Sequence, residues 1–150
     1  MKMQFKSMLM LLGVSFFISA GFKNADQPGT NVIQSKDQPK PVTVEFLYTA
    51  TPSPGTFTGT FVAHGALEIW GTSEMTVNRF ANVAHCSQTM EAPGGTITIL
   101  SDCQFSTMEG AWRIVSATGD YEGIKGNGKL VMGFPGSGVL VTESYDGKVR

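Results

Sequence analysis

The side chains with the clearest chemical prospects in this 150-residue chain are two histidines, two cysteines and a thin scatter of carboxylates. His64 and His85 stand apart from each other and from any zinc-type spacing, so no metal is expected. Ser137 sits in Pro135-Gly136-Ser137-Gly138 and lacks the Gly-x-Ser-x-Gly spacing of a nucleophile elbow. Gly123-Ile-Lys-Gly-Asn-Gly128-Lys129 has the spacing of a phosphate-binding loop, but Leu130 stands where that loop needs the Ser or Thr that contacts magnesium. No cofactor is expected. Acid–base chemistry remains, from Glu45, Glu68, Glu74, Glu91, Glu109, Glu122 and Glu143. A carboxyl aimed into an apolar interior rises in pKa and can serve as a general acid or base. Glu68 is the first to consider, because it shares an alternating face with Trp70.

The elements that would position such a group are β-strands. From Val42 onward apolar residues recur at every second position: Val42, Val44, Phe46 and Tyr48 alternate with Thr43, Glu45 and Thr49. Phe57, Gly59, Phe61 and Ala63 oppose Thr58 and Thr60, and Ile97 and Ile99 oppose Thr96 and Thr98. Further strands are expected over Leu67–Trp70, Met75–Phe80, Val83–Thr89, Ala111–Ala117, Lys129–Phe134 and Val139–Tyr145. Turn residues separate them at Thr51–Gly55, Ala92–Gly95 and Pro135–Gly138, and Asn127-Gly128 reads as a hairpin turn. Many short strands, together with 18 glycines, favour an all-β antiparallel barrel over a sandwich.

Ahead of the strands lies a different kind of sequence. Lys2 and Lys6 precede an uncharged apolar run, Met8–Ile18, and then the small residues Ser19, Ala20 and Gly21. That order is the order of a secretory signal peptide. The run is shorter than the roughly 20 residues that span a bilayer. The expected organisation is a signal peptide over 1–21, a polar leader over 22–41 and a barrel domain over 42–150, with the product secreted or periplasmic and without a stable membrane anchor.

With Lys2 and Lys6 set aside, the formal net charge moves from −1 to −3 and no basic run remains, which excludes a nucleic-acid partner. In an oxidising compartment an isolated cysteine pair usually becomes one disulfide, so a Cys86–Cys103 bridge is expected, with two free buried thiols, or thiolate ligands for a metal, as the alternatives.

The segment Gly110-Ala-Trp-Arg-Ile-Val-Ser-Ala-Thr-Gly119-Asp-Tyr-Glu-Gly-Ile-Lys-Gly126-Asn-Gly128 resembles the glycine-rich signature of the allene oxide cyclase barrel-like proteins, which include the plant cyclases and dirigent proteins. Ala117 and Ile124 depart from the Gly and Leu of that signature. Upstream, Gly59, Gly65, Cys86 and Gly94-Gly95-Thr96-Ile97-Thr98-Ile99 follow the same order. The resemblance implies an eight-stranded antiparallel barrel. The polar site residues of the cyclases do not map onto this chain one by one, so no catalytic residue is carried over.

The expected function is an exported barrel that binds a small apolar molecule without catalysis, or a structural module. Its interior ligand site would be lined by Phe46, Tyr48, Phe61, Trp70 and Trp112, with Glu68 as a polar contributor. One alternative is an isomerase or cyclase acting on a hydrophobic substrate inside the barrel. Another is a homo-oligomeric interaction protein that uses the barrel exterior.

Overall fold

The structure, a computed structural model, describes residues 38–136 and 140–150. The signal segment, nearly all of the leader and Ser137 lie outside the described residues. Strands β1 (Lys40–Ala50), β2 (Thr56–Gly65), β3 (Ile69–Phe80), β4 (Val83–Ala92), β5 (Gly95–Gln104), β6 (Glu109–Ala117), β7 (Gly126–Gly133) and β8 (Leu140–Val149) follow one another. Each pairs antiparallel with the next, and β8 pairs back onto β1, which closes an eight-stranded barrel without free edges. A single turn of 3-10 helix, Gly119–Tyr121, joins β6 to β7.

Alternation decides what fills the barrel. Val42, Val44, Phe46 and Tyr48 of β1 are buried while Glu45, Leu47 and Thr49 are exposed. β8 repeats the pattern, with Val141, Glu143, Tyr145 and Val149 inward. Outward positions mix charged residues, such as Glu45, Glu74, Arg113, Lys129 and Lys148, with exposed apolar ones, such as Leu47, Val62, Trp70 and Val131.

Two expectations about elements are corrected. Leu67–Trp70 and Met75–Phe80 do not form two strands: β3 runs unbroken from Ile69 to Phe80. Gly71 lets it pass close to its neighbours, since a Cβ there would collide with the Glu91 carbonyl and crowd the Phe61 ring. Asn127-Gly128 is not a turn but lies inside β7, where Gly128 pairs with Trp112. Across the adjoining pair, a Cβ on Gly147 would strike the Trp112 indole, so the glycine of β8 makes room for the ring, while a Cβ on Gly128 would collide with the β8 backbone at Asp146 and Gly147.

The cysteine bridge is corrected as well, because Cys86 and Cys103 are free, buried thiols. They sit on adjacent strands but not opposite each other: Cys86 faces Ser101, and Cys103 faces Ala84. Such diagonal neighbours lie roughly 7–8 Å apart, too far for the short Cβ separation of a disulfide.

Candidate functional site

The inward faces of β8, β4 and β5 bring a polar cluster into the barrel. Glu143 and Tyr145 are inward neighbours on β8, Gln88 is inward on β4, and Ser101 is inward on β5. β4 and β8 stand on opposite sides of the ring, so contacts between them cross the lumen. The Gln88 amide donates to Glu143 Oε2, and the Tyr145 hydroxyl lies 2.6 Å from Gln88 Oε1, 3.0 Å from Ser101 Oγ and 3.0 Å from Glu143 Oε2. Close by, the Tyr48 hydroxyl and Ser73 Oγ share a hydrogen bond of 2.8 Å.

One phenolic proton faces three acceptors around Tyr145: Gln88 Oε1, the nearest, Ser101 Oγ and Glu143 Oε2. Glu143 is 2% exposed, and its pKa is pushed up to about 7 by desolvation, against the opposing hydrogen bonds that Tyr145 and Gln88 donate to it. Its second oxygen, Oε1, is buried with no hydrogen-bond partner among the described residues. Burial also pushes the Tyr145 and Tyr48 phenols up, and the Cys86 thiol up to about 12, so all three are neutral.

Aromatic and sulfur-bearing side chains enclose this cluster. Tyr145 stacks on Trp112 with ring centroids 5.8 Å apart and meets Phe46 edge-on at 4.9 Å. Phe46 stacks in turn on Tyr48. Met132 is the register partner of Glu143, and Met75 that of Gln88. At the far end, among Val42, Val44, Leu67, Ile97, Ile99 and Val149, the open space shrinks to about 10 Å³, no more than one water.

Of the five nominated aromatics, Phe46, Tyr48, Phe61 and Trp112 are buried in the interior, while Trp70 is 56% exposed. In β3 the inward set is Ile69, Ser73 and Met75, so Trp70 falls on the outer face with Thr72, Glu74 and Thr76. Glu68 is corrected too. It precedes β3 in an exposed connection, where it accepts from the Gly65 backbone N–H at 2.8 Å and lies 3.3 Å from His64 Nδ1. Those contacts, the backbone bond first, hold its carboxyl below the usual range, the opposite of a buried acid. His85 is likewise outside, 2.5 Å from Asp102. The carboxyl that does enter the barrel, Glu143, carried a signal in its phase: it alternates with Thr142 and Ser144 and shares the face of Val141, Tyr145 and Val149.

The outer wall has a feature of its own. Trp70 pairs with Val62 across β2–β3, and Leu47 and Val131 stand exposed on β1 and β7. Next to Val62 lies a depression of about 530 Å³ whose lining includes the outward residues Glu45, Leu47, Thr60, Val62, Val131 and Thr142, and not Trp70 itself.

No protein-family model matches the chain, and no curated protein matches it in sequence. Among solved structures, a pyocyanin demethylase is similar at 15% identity and a TM-score of 0.42, over 73% of this chain and 98% of that one. A similarity of that degree says nothing about chemistry or substrate.

Proposed function

We propose that the chain is an enzyme of the isomerase type, whose barrel interior moves a proton on a small, largely apolar molecule bearing a carbonyl group. One observation carries the reading: a buried carboxyl with one unpartnered oxygen, Glu143, next to a phenol that can hold a substrate oxygen, Tyr145. With a pKa near 7, Glu143 can both take and return a proton at neutral pH. As a carboxylate it removes a proton from the carbon next to the carbonyl, and the electron pair of that C–H bond moves onto the carbonyl oxygen, which the Tyr145 hydroxyl hydrogen-bonds. Where a C=C bond lies β,γ to the carbonyl, the proton returns to the γ carbon as the oxygen's electron pair reforms the C=O bond and the C=C bond moves to the α,β position, which completes an isomerisation with no outside reagent. The aromatic enclosure formed by Phe46, Tyr48 and Trp112 suits an apolar substrate. Met75 and Met132, unbranched and easily repacked, are the side chains best able to yield space. The motif resemblance to the allene oxide cyclase barrel-like proteins supports the same class, and the opening segment supports export.

The test is solvent-deuterium exchange into a panel of apolar enolisable ketones, followed by NMR. Exchange above the buffer rate, titrating near pH 7 and lost in Glu143→Gln, is the expected result. Equal rates for the wild type and Glu143→Gln across the panel would remove the catalytic reading.

The outer wall favours a second reading, self-association through β3, β2, β1, β8 and β7. A projecting Trp70 beside a hollow on the same face lets two copies insert knob into hollow reciprocally, as a two-fold interface requires. Sedimentation should show an oligomer that Trp70→Ser converts to monomer; a monomer at all concentrations would dismiss this reading.

A further inference from the structure

We propose that Gln88 is a built-in stand-in for the ligand: its carboxamide holds the place, between Glu143 and Tyr145, that a small neutral molecule carrying a carbonyl beside an N–H takes when it displaces that side chain. The inference rests on the reading of the Glu143–Tyr145 pair as the working site, and it goes further by naming the ligand class and the group that blocks the site.

The hydrogen bonds of Gln88 are those that a ligand amide would make. Its carbonyl accepts from the Tyr145 hydroxyl at 2.6 Å, and its NH₂ donates to Glu143 Oε2. These bonds reach across the lumen from β4 to β8, so Gln88 closes the space that a ligand would need. The carboxamide is also incompletely satisfied. The only other acceptor for its NH₂ among the described residues is Met75 Sδ at 3.5 Å, a weak one. Glu143 Oε1, beside it, has no partner among the described residues. A primary carboxamide entering from the lumen can reproduce both strong bonds one for one, and its second N–H can reach Oε1. A ketone of the same shape supplies the acceptor but no donor, and leaves the carboxyl unpaired. Buried polar groups left unpaired are what make such sites selective. The exchange then costs Gln88 two bonds, replaced by two or three.

The experiment is chemical complementation. Gln88→Ala deletes the equivalent of one acetamide molecule, a methyl carbon and its carboxamide. Thermal unfolding of this variant is followed with increasing acetamide, with acetone as the isosteric ketone, and with xenon as an apolar filler. The expected result is a saturable rise in Tm of the variant with acetamide and a smaller one with acetone, and in the wild type a rise only at higher acetamide concentration, because there Gln88 must first be displaced. Should the variant not fold alone, refolding yield with acetamide against acetone decides the matter in the same way. No effect of acetamide, or an equal effect of acetone or xenon, overturns the proposal. Complementation by acetamide without any deuterium exchange would leave the ligand site standing and remove the catalytic reading; exchange without complementation would do the reverse.

Discussion

The two ends of the barrel interior are built from the same alternating strands yet do opposite things. Toward the start of β1 and the end of β8, Val42, Val44, Leu67, Ile97, Ile99 and Val149 close around the Trp112 ring and leave almost no space. Toward the end of β1 and the start of β8, Glu143, Gln88, Tyr48, Ser73 and Ser101 take the same inward positions. Tyr145 joins the halves: its ring stacks on Trp112 and its hydroxyl serves the polar cluster. The apolar end gains stability from burial that does not depend on pH. The polar end gives up some of that stability to keep a carboxyl neutral in the lumen, and an unpaired buried oxygen is difficult to explain as packing alone.

The largest expected effect lies at the apolar end. Trp112→Ala removes a nearly buried indole that packs against Gly147, where a Cβ would strike the ring. Denaturant unfolding should show a loss of about 3–5 kcal/mol. A loss below 1 kcal/mol would mean that Gly147 serves some other purpose.

The polar end should answer to pH instead. Glu143 holds its proton more tightly folded than unfolded, so between about 4.5 and 7 the folded chain binds more protons than the unfolded chain. The contribution is whole below pH 4.5 and falls away as pH rises through 7, a loss of roughly 3 kcal/mol. Stability measured from pH 4.5 to 8 should carry this downward slope, and Glu143→Gln should flatten it. A variant with the wild-type slope would assign the effect to other groups.

The smallest effect belongs to the outer wall. Trp70→Ala touches neither end of the interior, so monomer stability should stay within about 0.5 kcal/mol of wild type. A larger loss in dilute protein would mean that the ring packs against something not yet accounted for.

Much of this architecture was legible in the sequence, because a closed barrel imposes period two on nearly every segment. β1 and β2 read cleanly, and with them Phe46, Tyr48 and Phe61 as interior residues. Where reading failed, one large residue outweighed the phase of its neighbours. Trp70 suggested an inward face although Thr72, Glu74 and Thr76 share its side, and Glu68 was assigned by association with it. Glu143, one of seven candidate carboxyls, does not stand out for the complementary reason: a carboxylate looks like surface until its place in the Val141, Tyr145, Val149 series is counted. Gln88 follows the same rule, standing in phase with Ala84, Cys86 and Met90. The cysteine pair shows a limit of another kind. Both thiols occupy inward phases, but register, which no single strand encodes, set them diagonal to one another.

The protonation of Glu143 tests the central claim most directly. Infrared difference spectroscopy of the wild type against Glu143→Gln, across pH 4 to 9, isolates its carboxyl band. The account predicts a protonated carbonyl signal that persists above the ordinary carboxylate range and titrates with a midpoint of about 7. A midpoint near the ordinary glutamate value of about 4.3 would contradict it.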